Sequence, residues 1–544
     1  MAQPHEKTTD DSLKDTFQSV VIALVLAFLF RAYVVEAFVI PTGSMAPTLL
    51  GAHVAARCEQ CGYEFAIGIA EGGPLPPDSE PVVCPMCRHP NALGQFDTAR
   101  AGDRIMVQKY IYDFTDPKRW DVVVFKAPHK PQKNYIKRLV GKPGETLAIF
   151  EGNIYTKGPG PDAQWRIARK PARPEVQRTV WQPIYDSRYI PRDGGTSQRR
   201  AELARPSGFG SLDWQHPWVA DQPAHWQIAG RRRYRYDGEG AGWIRFQFDR
   251  GQYHNEWSRY PYNQLNSYFN LAPTPNPHNN TIGRVQPVED IRLAATVTLH
   301  KPGSPVKLQT TARLNHPDQP GRVETLTATI QPDRVTLTAT SPDSGATRTL
   351  AERTGSGVGR LPAGKPVDLE LWYVDQTAIL FIEDTPVVRY QYDLSLQTLT
   401  SRGRPAATPD PAIHLAGPGT LQRVQLGRDL YYTARDTSDA DRARGGIFRT
   451  PGGQVLGRPF TLKQDEFFCM GDNSPSSNDS RFWDPPAEWV RRNAFTGEPH
   501  EGVVPRELMV GRAFFVYWPA HYKLAFLDRP IPPLPNFGDM RFIE

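Results

Sequence analysis

Two residues far apart in the chain have the chemistry of a hydrolytic site. Ser44 lies in PTGSMAPTL, residues 41–49, between two prolines. Lys137 lies in YIKRLV, residues 135–140, an apolar run with strand patterning. A serine hydroxyl is a weak nucleophile and needs a base. The chain has thirteen histidines, but none falls in these segments or in GDNSPSSNDSR, residues 471–481. A lysine amine is a base only when neutral, and burial can lower its pKa by several units. Alternation sets Lys137 on the opposite strand face from Ile136 and Arg138, so if Arg138 points to water, Lys137 points inward. The turn around Ser44 offers geometry. Gly43 lets backbone approach a substrate closely, and the Ser44 N–H and Thr42 hydroxyl can both face a developing oxyanion. Taken singly, each residue has a plainer reading: a surface lysine on an edge strand, and an ordinary turn serine.

Four of the five cysteines form a second constellation. Cys58-x2-Cys61 and Cys84-x2-Cys87 are separated by twenty-two residues. This is the spacing of a four-cysteine zinc ribbon, and Cys61-Gly62 and Cys84-Pro85-Met86-Cys87 suit its knuckle turns. Two disulfides are the alternative. The presence of two pairs argues against a redox CxxC role. Cys469, in an apolar strand before Gly471, reads as a buried small hydrophobe.

The elements that must position these residues are mainly β. The 544 residues are too many for one ordinary core. The 52 prolines are roughly twice the usual share of about 5%, which disfavours long helices. The net charge of +6 is spread among both signs and gives no nucleic-acid surface. VVIALVLAFLF, residues 20–30, is continuously apolar. A bilayer-spanning helix needs about 20 residues, and Phe17 to Val35 supplies nineteen, with Arg31 able to snorkel near one end. A cleavable signal peptide ending near Val35-Glu36-Ala37 is the competing reading. Lys7 and Lys14 are set against Glu6, Asp10, Asp11 and Asp15, so charge alone leaves the orientation open.

The spacing predicts a tail over 1–16, a transmembrane anchor over 17–38, and a segment bearing Ser44 over 39–57. The four-cysteine module covers 58–96 and the strands around Lys137 cover 97–157. A long β-rich insertion fills 158–457, with its core at about 205–435. Apolar strands return over 458–525, and a Pro-rich tail covers 526–544. Within the insertion, runs at 290–299, 323–330, 334–339, 367–374, 378–383 and 386–391 predict short strands of a β-sandwich. The stretch AGKPVDLELWYVDQTAILFIEDTPVVRY resembles the paired strands of concanavalin-like or laminin-G-like jelly rolls.

PTGSMAPTL, GDRIMVQKYIY, YIKRLVGKPGE and GDNSPSSNDSR occur in that order. Together they resemble the sequence boxes of the type I bacterial signal peptidases. RAYVVEAFVIP resembles that family's link between its last membrane helix and its nucleophile. The resemblance covers roughly residues 17–57, 102–156 and 460–520, about a third of the chain. It implies a membrane-bound serine endopeptidase with a β catalytic core, acting on the extracytoplasmic side of the cytoplasmic membrane. Ser44 falls at the nucleophile, Lys137 at the general base, and Thr42 with the Ser44 amide at the oxyanion hole. Ser477 falls at the serine that orients the lysine. Asp479 and Arg481 match a structural ion pair, and Gly471, Asp472 and Asn473 the turn before it. Met45 and Pro47 match residues that shape the nucleophile turn. Glu145 stands where Asp is usual, and Ser474-Pro475 replaces a common Arg-Asp pair.

The implied partners are preproteins with A-x-A-type signal peptides and the lipid bilayer, with no nucleic acid. No cofactor is expected for catalysis, and zinc is expected at the cysteines. The sandwich is a candidate for binding a glycan or a protein. Two other classes compete. One is a self-cleaving repressor with Ser/Lys chemistry, which would carry a DNA-binding head in place of an anchor. The other is a membrane-tethered β-sandwich binding protein with a vestigial peptidase core.

Overall fold

The computed structural model describes residues 9–69, 82–91, 100–170, 173–192, 194–195, 214–228, 232–248, 250, 261–263, 288–401, 407–434, 443–449, 454–493, 500–519 and 537–543. The first element is the helix Thr9–Tyr33. Its apolar side chains are exposed from Phe17 through Leu29. Among the described residues no helix is long and apolar enough to cross a membrane. The helix also stops short of the expected anchor end at 38. Val35–Val39 instead forms a strand, antiparallel to Arg104–Gln108, whose ladder satisfies its backbone groups.

That strand opens the sheet that carries Lys137. Among the described residues the sheet has eight strands, in the order Val35–Val39, Arg104–Gln108, Met509–Trp518, Val122–Ala127, Lys130–Gly141, Glu466–Met470 and Val504–Pro505, with Arg541–Phe542 beside Met509–Trp518. Segments from both ends of the chain are therefore woven into one sheet. Lys130–Gly141 is central. Val123 sits opposite Lys137 on one side, and Met470 opposite Arg138 on the other. Both faces of this strand are covered. Leu139, Phe125, Cys469 and Trp483 pack on the Lys137 face. Val140, Trp120, Phe468 and Met470 share a second core on the other face. Arg138 is accordingly fully buried, so the condition of a water-facing Arg138 is not met, and Lys137 is nonetheless buried on the opposite face.

The insertion is a two-sheet antiparallel sandwich. One sheet has eight strands and the other seven, among the described residues. The six predicted runs correspond to Ile291–Leu299, Pro320–Gln331, Arg334–Thr340, Pro366–Val374, Thr377–Ile382 and Thr385–Gln391. Asp375–Gln376 and Glu383–Asp384 take positive φ, as tight hairpin turns require. Leucine, isoleucine, valine and aromatic side chains of both sheets meet in one core, which Phe150 and Tyr155 of the neighbouring hairpin enter. An earlier strand, Gln182–Asp186, adds to the edge of Gly419–Arg428, so the sandwich begins before residue 205.

The four-cysteine module opens with a hairpin, His53–Arg57 with Glu64–Gly68, directly after the Ser44 segment. Its two knuckles are closed by Gly62 N–H to Cys58 O at 2.8 Å and Arg88 N–H to Cys84 O at 3.0 Å. Tyr63 meets Tyr189 edge-on at 4.9 Å, which seats the module against the insertion.

Candidate active site

Ser44 sits in a single 3-10 turn, Gly43–Met45, closed by the Ala46 N–H bonding to Gly43 O at 3.0 Å. Donors at the start of such a turn have no partner inside it, so the Ser44 N–H belongs to the unpaired end. Thr42 precedes the turn in extended conformation, its side chain exposed and bonded to no backbone donor of the turn. Lys137 arrives from the central strand. Its Nζ and the Ser44 hydroxyl are hydrogen-bonded at 2.7 Å, and Nζ donates to Ile136 O at 3.1 Å. Lys137 is 4% exposed and Ser44 8%. Burial lowers the lysine pKa to about 8, against the pull of Asp479 and Asp472. A sizeable neutral fraction at mild pH is what a lysine base requires.

The 471–481 segment holds this pair from below. The Asn473 N–H donates to Ser44 O at 3.1 Å, and its side-chain Nδ2 to Gly43 O at 2.9 Å. Thr48 donates to Asp472 Oδ2 at 2.6 Å, tying down the far side of the turn. Arg138 grips the same carboxylate through Nε at 2.8 Å and Nη2 at 2.7 Å. Gly471 is required by space: a Cβ there would stand 2.2 Å from Ser477 Oγ and 2.3 Å from Ser44 O. Asp479 accepts from Gly471 N–H at 3.0 Å and pairs with Arg481 at 2.7 Å, both side chains wholly buried. Arg481 also bonds Thr433 O at 3.0 Å, which joins the segment to the end of the insertion. Glu145 pairs with Arg119 at 2.6 and 2.8 Å.

One predicted contact is not made. The Ser477 hydroxyl, expected to orient the lysine, is buried without a hydrogen-bond partner among the described residues. It lies beside Gly471, and the second hydrogen bond of Lys137 goes to its neighbour's carbonyl. Thr48, the Arg138–Asp472 pair and Asn263, whose amide bonds that of Asn473, were not singled out from sequence. Arg138 lies wholly buried in a strand covered on both faces, where its charge needs an acid.

Beyond Arg138, the strand edge opposite Val122–Ala127 has no partner among the described residues, so Tyr135 and Ile136 leave a backbone ladder open next to Ser44. An extended peptide can add there.

The four thiols converge separately. Cys58 and Cys87 Sγ lie 3.5 Å apart, Cys61 and Cys84 Sγ 3.6 Å, and all four fall within 4.8 Å of one another. A disulfide needs about 2.0 Å. Sulfurs around a tetrahedral ion with metal–sulfur bonds of about 2.3 Å stand about 3.8 Å apart. The thiols form no disulfide and are buried, and the donor set fits a metal ion.

The family described as "Signal peptidase, peptidase S26" matches residues 93–193 and 431–518. These segments hold Lys137 and 471–481, whereas Ser44 lies before them. The chain is similar to Signal peptidase I of Rickettsia bellii, 25% identical over 150 residues, or 28% of this chain and 42% of that protein. It is similar to Signal peptidase I of Pseudomonas aeruginosa at 33% over 137 residues, or 25% of this chain and 34% of that one. It thus spans less than half the length of these relatives. Among solved structures it is similar to a carbohydrate binding module, CBM66 from Bacillus subtilis, at 10% identity and a TM-score of 0.22, covering 39% of this chain and 95% of that one. That likeness is too slight to argue from.

Proposed function

We propose that the chain is a membrane-bound serine endopeptidase with a signal peptidase domain of the peptidase S26 type, and that it removes signal peptides from exported preproteins. The observation that carries the reading is the buried 2.7 Å contact between Ser44 and Lys137. Neutral Lys137 takes the Ser44 proton as Ser44 Oγ attacks the carbonyl carbon of a small residue, whose bond to the next nitrogen then breaks. The oxyanion is held by the Ser44 N–H and the Thr42 hydroxyl. Lys137 then protonates the leaving amine, and later activates the water that frees the acyl-enzyme. The substrate lies as a strand along the open edge at Tyr135–Ile136. No cofactor enters the chemistry. Zinc at Cys58, Cys61, Cys84 and Cys87 would be structural.

The helix Thr9–Tyr33 is the proposed attachment to the cytoplasmic membrane, with the catalytic core on the extracytoplasmic side. A helix at a protein surface buries one apolar stripe. This one exposes Val20, Ile22, Leu24, Val25 and Leu26 around its circumference, and lipid would supply their contacts. Confining enzyme and signal peptide to one surface raises their effective concentration.

The test is incubation of the detergent-solubilised chain with a synthetic A-x-A signal peptide, wild type beside Ser44→Ala. Wild-type cleavage at the A-x-A site with none in the variant is expected. Equal cleavage by both would dispose of the nucleophile.

A further inference from the structure

The connection between two sandwich strands, Gly242–Phe246 and Ile291–Leu299, includes the short turn Pro261–Asn263. Tyr262 and Asn263 are buried against the peptidase core. The Tyr262 ring lies on Gly43 of the nucleophile turn and Gly68 of the cysteine-module hairpin. A Cβ at either would stand 2.0 or 2.1 Å from it. Its hydroxyl donates to Ala52 O at 2.8 Å. Next to it, the amides of Asn263 and Asn473 bond reciprocally. Asn263 Nδ2 donates to Asn473 Oδ1 at 2.7 Å, and Asn473 Nδ2 donates to Asn263 Oδ1 at 2.8 Å.

Asn473 is the residue that holds the turn, through Gly43 O and Ser44 O. An asparagine amide has two orientations of nearly the same shape. With Asn263 present only one satisfies every atom: Oδ1 receives a hydrogen from Asn263, and the two Nδ2 hydrogens go to Asn263 and to Gly43 O. With Asn263 absent, Asn473 Oδ1 is left buried without a donor. A flip would then turn that oxygen against Gly43 O, acceptor to acceptor. We propose that Asn263 is a positioning residue for the nucleophile: it locks the amide of Asn473, and Asn473 holds the turn that presents Ser44 to Lys137. The inserted sandwich thereby supplies part of the catalytic scaffold. The inference rests on the Ser44/Lys137 chemistry proposed above.

The test uses the full chain in detergent with the A-x-A peptide. Asn263→Ala should lower kcat by about tenfold or more, since small displacements of a reacting atom are costly. KM should stay within about twofold, because the lost constraint acts on the reaction step and not on peptide binding. Asn263→Asp, nearly isosteric but unable to donate to Asn473 Oδ1, should be at least as slow. It carries the same expectation should the alanine variant not fold. Asn263→Ala combined with Asn473→Ala should be no slower than Asn473→Ala alone, because the two act in series. A folded Asn263→Ala enzyme with wild-type kcat, beside an active wild type, overturns this proposal alone, as do losses that add in the double variant. An inactive wild type would instead overturn the peptidase reading and this inference with it.

Discussion

Among the described residues two lysines are buried, and their surroundings push their amines in opposite directions. Lys137 bonds the Ser44 hydroxyl and a backbone carbonyl and lies 5.5 Å over the Tyr135 ring, and burial brings its pKa to about 8. Lys170, where the insertion meets the core, lies 3.0 Å from Asp375 and 2.8 Å from Asp429, over the Trp120 ring. Burial works against its charge as well, but the two carboxylates outweigh burial and hold it above the ordinary lysine value. Asp290 completes this cluster. Burial and the neighbouring acids push its carboxyl well above the usual range. Burial alone therefore does not make a base. What separates the two sites is whether the nearby acids are already taken. Near Lys137, Arg138 occupies Asp472 and Arg481 occupies Asp479. The two arginines leave the lysine without a counter-ion.

The sharpest way to break this comparison is to replace each lysine by methionine. Lys137→Met should keep the fold and lose peptide cleavage on the order of 10⁴-fold or more, as loss of a dyad member does. Lys170→Met leaves buried acids without their cation and should destabilise the chain by about 3–5 kcal/mol, read from denaturant midpoints. Full stability there, or residual fast cleavage in the first variant, would erase the distinction. A gentler measure is the pH profile. Only neutral Lys137 accepts a proton, so kcat/KM should rise with pH, pass half-maximum near the lysine pKa of about 8, and level above it. Arg481→Gln frees Asp479 to favour the charged amine and should move that limb to higher pH in the folded protein. A limb that stays put would mean Arg481 does not shield the lysine. The smallest expected effect concerns the cysteines. Metal analysis should find about one zinc per chain and non-reducing mass spectrometry no disulfide, and chelation should lower the melting temperature with the Ser44 chemistry retained. Two disulfide bridges would end the ribbon reading.

Much of this could be read from residues alone. Ser44 and Lys137 stood out through the resemblance of their segments to a family's ordered boxes, since taken singly each had a plainer reading. The sandwich strands announced themselves by alternation and turn residues. Alternation could not place Arg138, because it presumes one wet face and this strand has none. The expected end of the anchor was misjudged because VEAFV is apolar enough for lipid, yet it alternates well enough to join a sheet. Asn263 lay in RYPYNQLNSYFN, a polar stretch without periodicity. Only the tertiary fold brings its amide to Asn473, 210 residues away. Lys170 and its three aspartates were invisible for the same reason: four ordinary charged residues, none near another in sequence.

The hydroxyl of Thr48 reaches a carboxylate 424 positions further along the chain. The scaffold of the nucleophile turn therefore closes only after synthesis has passed residue 481. Loop closure over such a distance is slow compared with local pairing. A partly made chain carries its serine early but not the acid, the amide or the arginine that hold it.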